Sequence, residues 1–397
     1  MCIRNIVLLL SFFVSARLVA QVEVVRLSDL PRYDARNYIP YDSNQYPVKH
    51  IRIAIHLFQC ADGTGNFGKD AWSRDVIGRI LNHSNGKFRN VELLYPVSPD
   101  PYYVLIPDSR IHIVLDTIYE HRDDTDQAFN VGLGIKKPNA PIGDSLMNEG
   151  RAFTKAENMW DKYVANLPIR QRDSAIHVFF FEANTFKNKG MARDLFNGKW
   201  LYVLGAYGFA ASDSTHPDHW TIGNTLAHEI GHSLGLQHPF HNNDCTDLPN
   251  TSMGQSNNVM DYWPKAGNGL SPQQMGYMHL GLSGLRGNVH QVVVPYWLKK
   301  STQQALLISG TDTVKWLGDK FINRDIDVQA GSTLFISSQI TAAPNCVITI
   351  MPNASVVIAK TAQFKNINSD QYFKIVEKRR FLRKTLKGEL IDEAKAE

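Results

Sequence analysis

TLAHEIGHSLGLQH, residues 225–238, holds His228, Glu229, His232 and His238 within eleven positions. Read as a helix over 221–234, the stretch lines up Ile222, Leu226, Ile230 and Leu234 as one apolar stripe and puts His228 and His232 one turn apart on another side. The two imidazoles can therefore reach one point. Glu229 stands one step around the helix, close to anything bound there without being forced into the ligand set. Gly235 then ends the helix, because glycine takes the left-handed conformation at little cost, and the turn can bring His238 back toward the same point. Three neutral imidazoles converging with a fourth position open are the ligand set of a catalytic zinc ion, which lowers the pKa of its bound water to about 7. Surface histidines on an amphipathic helix are the plain alternative, and the joint presence of Gly235 and His238 weighs against it. A glutamate as third ligand is excluded, since after Glu229 none occurs until Glu377.

HEIGHSLGLQH fits the pattern HExxHxxGxxH over its whole length and so resembles the metzincins, zinc peptidases that also carry a methionine turn beneath the metal. SNNVMDYW, residues 256–263, looks like that turn, with Met260 as the floor methionine and Tyr262 two residues on. The resemblance implies that Tyr262 binds the zinc or swings away to support the reaction intermediate. The short loop from His238 to Met260, the VMDY turn and the following LSPQQMGYMHLGL look most like the pappalysin group. Pro239 after the third histidine is a serralysin feature, yet the glycine-aspartate calcium repeats of serralysins do not follow. Paired loop cysteines, common in pappalysin-like members, are also missing, Cys245 being alone between residues 61 and 345.

The resemblance spans roughly residues 48–285 and implies an α+β zincin catalytic domain, with a mixed sheet and an active-site helix. HIRIAIHLF (50–58), RIHIVLDTIY (110–119) and SAIHVFFFE (174–182) read as strands, and KDAWSRDVIGRILNHSNG (69–86) as a helix burying Trp72, Val76, Ile77, Ile80 and Leu81 and stopped by Asn85-Gly86. KWLYVLGAY (199–207) is the last strand before the metal helix. By resemblance it is the edge strand above the cleft, where an extended peptide can pair; the other reading is an interior strand with Trp200, Tyr202 and Tyr207 in the core. Ser271-Pro272 with Gln274 forms a capping box that starts another helix, on which His279 reads as structural.

Around this domain, 47–296, the chain divides further. Arg4, the apolar run IVLLLSFFV and small residues at Ala16 and Ala20 read as a signal peptide over 1–20, implying a secreted or extracytoplasmic protein. Cys2 is followed by no lipobox, and no later segment reaches the length of a membrane span. Residues 21–46 read as a linker or short leader. Past residue 297, IDVQAGSTLFIS (326–337) and ITIMPNASVVIA (348–359) align at an offset of 22, with Gly331 matching Asn353 and Thr333 matching Ser355. That is a weak repeat of short strands, implying a small all-β domain over 297–370 like the β-helical or sandwich modules trailing exported enzymes. Residues 371–397 read as a charged tail, with KRRFLRK (378–384) as a solvated face.

A net charge of +4 with 43% hydrophobic residues describes an ordinary globular chain and carries no nucleic-acid footprint. Cys60, Cys245 and Cys346 allow at most one bridge; Cys60 with Cys245 and three free thiols are both open. The loop HNNDCTDLPNT (241–251) offers Asp244 and Asp247, hard ligands of the kind calcium prefers, though a plain polar loop reads as well. Together these readings give a secreted zinc endopeptidase acting on proteins or peptides, with Glu229 as general base. The rival is a catalytically silent surface-binding protein on the same scaffold.

Overall fold

The computed structural model describes residues 31–59, 61–63, 66–122, 149–181, 189–211, 218–241, 244–262, 267–294, 299–366, 374–377 and 389–392. Five strands, β1 (Lys49–Gln59), β2 (Ile111–Arg122), β3 (Ile176–Phe181), β4 (Lys189–Ala192) and β5 (Trp200–Leu204), form one sheet in the order β2-β1-β3-β5-β4. Only β4 runs antiparallel to its neighbour. Every residue of β3 and β5 is buried, because both faces of the sheet are covered. On one face Ile53, Ile55, Val178, Phe180, Leu201 and Val203 share a core with Val76, Ile77 and Ile80 of helix α1 (Ala71–Arg89) and with the metal helix. Trp72 and Leu81 pack partly buried against the same core. On the other face Phe58, Phe179, Phe181, Trp200 and Tyr202 pack against Ala156 and Met159 of helix α2 (Glu149–Tyr163); two short helices, α3 (Ile169–Arg172) and α4 (Ala206–Ala211), precede β3 and follow β5.

Two sequence expectations change here. Strand β5 is not the sheet edge: it lies between β3 and β4, with Trp200 and Tyr202 in the second core, and the edge beside it is the four-residue KGMA strand β4. Nor does α1 stop at Asn85-Gly86. The Asn85 side chain pairs with the backbone N–H and C=O of Ile113, at 2.9 and 3.0 Å, which ties the helix to β2 and lets it run on to Arg89.

The second core contains a buried chain of histidines. His177 Nε2 donates to the carbonyl of Arg172 at 3.1 Å, because a carbonyl can only accept. His177 Nδ1 must then accept from His56 Nε2, and His56 Nδ1 from His121 Nε2, each at 2.8 Å. Burial drives His177 down to about 4 and His56 well below the usual histidine value, with the neighbouring histidines adding to the effect on His56. Depressed pKa values mean that the unfolded chain takes up protons first, so the stability of the neutral chain is present above about pH 6.5 and is lost as pH falls toward 4. For His177 alone the loss reaches roughly 3 kcal/mol near pH 4. Urea unfolding followed from pH 7 to 4.5 should show this decline, and His177→Gln, whose amide can still accept from His56 and donate to Arg172, should flatten it by about one proton's worth. A pH dependence identical in the two proteins would refute the assignment.

Beyond the five-stranded sheet and its helices, β6 (Leu306–Ile308), β7 (Thr313–Trp316), β8 (Lys320–Ile322), β9 (Ile326–Val328), β10 (Thr333–Ile336), β11 (Gln339–Ala342), β12 (Val347–Ile350), β13 (Ser355–Ile358) and β14 (Gln363–Asn366) wind as a parallel coil with three sheets. Thr333 pairs with Ser355 and Ile326 with Ile348, the register given by the repeat of 22 residues. Gly331 and Asn353 both adopt positive φ, 83° and 65°, so the aligned pair marks the same left-handed corner. Leu334, Ile336, Ile348, Ile350 and Val356 fill the interior. Strands β15 (Lys374–Glu377) and β16 (Glu389–Asp392) pair with β12 and β13, so the coil extends into the segment read as a tail; KRRFLRK itself lies outside the described residues.

Residues 31–46, read as a linker or leader, form short 3-10 turns wedged between the two halves. Arg32 makes two bonds to the buried Asp319, at 2.8 and 2.9 Å, Tyr38 Oη accepts from Asp319 N, and Trp316 Nε1 donates to Gln45. Ala35 and Tyr38 pack with Leu280 of the helix α6 (Pro272–Gly281). Among the described residues no helix is long and apolar enough to cross a membrane.

Candidate metal centre

The metal helix, α5 (His219–Ser233), starts at Asp218, whose carboxylate accepts from Thr221 N and Oγ1. Ile222, Leu226, Ile230 and Leu234 are all fully buried, as the stripe requires, and His228 and His232 project from another side. At Gly235 the backbone φ is 100°, and a Cβ there would run into the Phe196 ring, so both conformation and space demand glycine. The turn that follows returns His238 to its partners: the Nε2 atoms of His228, His232 and His238 stand at the corners of a triangle with sides of 3.1 Å. Among the described residues this is the one cluster of three metal-ligating groups.

The hydrogen positions test whether the triangle suits a cation. His228 Nδ1 donates to the Val259 carbonyl at 3.1 Å and His232 Nδ1 to the Leu236 carbonyl at 2.7 Å. With Nδ1 carrying the proton, both Nε2 atoms present bare lone pairs to each other and to His238. Such an arrangement repels itself unless a cation lies between the lone pairs. A tetrahedral zinc ion with bonds of about 2.0–2.1 Å asks for nitrogens about 3.3 Å apart, so the residues fit it. Burial lowers His228 to about 3 and His238 to about 4, which keeps the imidazoles neutral as ligands must be.

Glu229 lies beside the triangle, buried, and among the described residues its Oε2 has no hydrogen-bond partner. Burial raises its carboxyl to about 8, while the backbone N–H of Ala192 pulls the other way; a cation at the histidines would act in the same sense as that N–H. Met260 is fully buried under the helix, its sulfur filling the space that a side chain at Gly231 would take. The Tyr262 ring sits 4.9 Å from His238 and 5.6 Å from His228, its residue 40% exposed, so it borders the centre and is open to solvent.

Two residues that the sequence reading passed over, Asp261 and Asn258, hold this floor in place. Asp261 Oδ1 accepts from Gly254 N and Tyr262 N, and Oδ2 from Ser256 N and Oγ. Asn258 accepts from Met260 N and exchanges amide bonds with Gln274 of α6 at 2.8 and 3.2 Å. The signal was the polarity of SNNVMDYW itself, since buried polar side chains must find partners. The capping box of α6 is present as read, and His279 is buried with Nε2 on the Ser109 carbonyl, a structural role.

The calcium reading of the 241–251 loop finds no support. Asp247 is buried with Oδ1 accepting from Ser271 Oγ and Oδ2 from Gln273 N, so both oxygens serve the start of α6. Cys60 lies outside the described residues, and with it the bridge to Cys245.

Two models of the reprolysin-like metallopeptidases of family M12B match the chain, one over residues 202–282 and the other over 113–239. The first contains the three histidines, Glu229, Met260 and Tyr262. A comparison with curated proteins finds no match. Among solved structures, the crystal structure of metalloproteinase-II from Bacteroides fragilis is similar at 13% identity, with 60% of this chain and 56% of that one covered and a TM-score of 0.28. The chain thus spans little more than half the length of that neighbour. Between β2 and the end of α6, this chain is similar to the reprolysin-like metallopeptidases of family M12B.

Proposed function

We propose that the protein is a secreted zinc endopeptidase of the metzincin kind, nearest the pappalysin group in its methionine turn. The observation that carries the reading is the triangle of imidazole nitrogens, those of His228 and His232 bare, with a buried carboxylate beside it. His228, His232 and His238 would hold the zinc, which when bound supplies a Lewis acid and a more acidic water. Glu229, with its free Oε2, takes a proton from the attacking water and passes it to the departing amine. Burial keeps competing water away from that carboxylate and makes its proton affinity sensitive to nearby charge. An extended substrate would pair along β4, the antiparallel edge next to α5, rather than along the interior β5. The N-terminal apolar run supports export, and the coiled β-domain would serve attachment, docking or stability.

Tyr262 borders the histidines and would donate from its hydroxyl to the developing oxyanion. Tyr262→Phe should lower kcat about ten- to a thousandfold with KM little changed. Unchanged turnover in the folded variant would leave Tyr262 as packing alone. The reading as a whole is tested by incubating the protein with an unfolded protein substrate: cleavage should stop on chelation and return with zinc. Cleavage indifferent to a strong chelator would defeat it.

A further inference from the structure

Strand β4 is short and poor in side chains, and its contacts explain why. Gly190 pairs with Val203 and Ala192 with Leu201 on β5, so the two residues, two apart, share the face turned toward α5. A Cβ built on Gly190 would stand 2.6 Å from Glu229 Cγ and 2.8 Å from Oε1. Real carbon atoms do not approach so closely. Thr225 Cγ2, 2.8 Å from the same point, closes the other side, so the methyl has nowhere to go. The backbone N–H of Ala192 favours the charged form of the same carboxyl, and among the described residues Oε2 has no hydrogen-bond partner. The sheet edge therefore lies close against the side chain at Cγ and Oε1.

We propose that Gly190 is a positioning residue for Glu229: its bare Cα makes the space in which the carboxylate lies, so that Oε2 stays available. The glycine is thus demanded by the side chain across from it, since Gly190 is not among the positions with positive φ. A β-carbon at 190 pushes Cγ and Oε1 away and turns Oε2 from its place. The catalytic consequence rests on the reading of Glu229 as the base; the steric coupling does not.

The test uses full-length Gly190→Ala, Glu229→Ala and the double variant, with zinc content, thermal unfolding and peptide hydrolysis as readouts. Gly190→Ala should lower kcat about ten- to a hundredfold with KM within about twofold, the scale of a catalytic group displaced by about an ångström. It should keep its zinc, because no ligand is touched. Its Tm should also fall, and about half or more of that fall should disappear in the Glu229→Ala background, where Cγ and Oε1 are gone. If Gly190→Ala fails to fold while the double variant folds, the same coupling is shown. An equal Tm loss in both backgrounds, failure of both variants to fold, or undiminished kcat in Gly190→Ala would overturn the proposal. Should the parent protein cleave nothing, the functional reading fails, and the Tm comparison still decides the coupling on its own.

Discussion

Glu229→Gln is expected to abolish peptide cleavage while the protein keeps its fold and one zinc per chain. Glutamine preserves the size of the side chain and one carbonyl oxygen. What it cannot do is take up a proton, and general-base catalysis by a positioned carboxylate contributes about a hundred- to ten-thousandfold. Because the three Nε2 atoms are untouched, metal content should equal that of the parent. The measurement pairs metal analysis of the dialysed protein with turnover of a peptide. Retained activity would remove Glu229 from the chemistry, and loss of zinc would place its carboxylate among the ligands.

His238→Ala should give the opposite separation, costing the metal itself. His238 completes the triangle at 3.1 Å from each of the other two nitrogens, and among the described residues no further group joins that cluster. Losing a hydrogen-bond partner outside a metal's ligand set already costs about ten- to a hundredfold in affinity, so losing a ligand should exceed a hundredfold. Asp247 cannot step in, since Ser271 and Gln273 hold both its oxygens. Competition with a chelator of known affinity measures the change. Full zinc occupancy in this variant under conditions that strip Glu229→Gln of nothing would show that the third ligand is elsewhere.

The parts legible in the sequence were those in which one physical requirement maps onto one spacing. An apolar residue every fourth position, two histidines one turn apart and a glycine at the reversal left one arrangement for residues 222–238, and the structure has it. The 22-residue offset worked for the same reason, since a parallel coil puts equivalent residues in register and asks for Gly331 or Asn353 at the same corner. What was not legible depended on partners distant in the chain. KGMA has no strand periodicity of its own, and its glycine is explained by Glu229, 39 residues later. WLYVL, in contrast, is apolar throughout, which is the mark of a strand covered on both faces; family resemblance pulled the reading toward the edge, and the burial pattern corrects it. Asn85 looked like a helix stop until its amide met the backbone of Ile113. The 31–46 segment likewise has little apolar pattern, and its order comes from Asp319 and Trp316, almost 300 residues away.

The central claim is that the three histidines and Glu229 make a peptide-bond hydrolase, and a cleavage map tests it most directly. Full-length protein carrying one zinc per chain, freed of any leader, is incubated with a broad library of unstructured peptides, and the products are identified by mass spectrometry beside those of Glu229→Gln. The account expects cuts at internal bonds, absent from the Glu229→Gln digest and absent after chelation. If the zinc-loaded protein cuts no peptide in the library, or if the Glu229→Gln protein cuts the same bonds equally fast, the account is contradicted, and the silent binding scaffold becomes the better description of the first case.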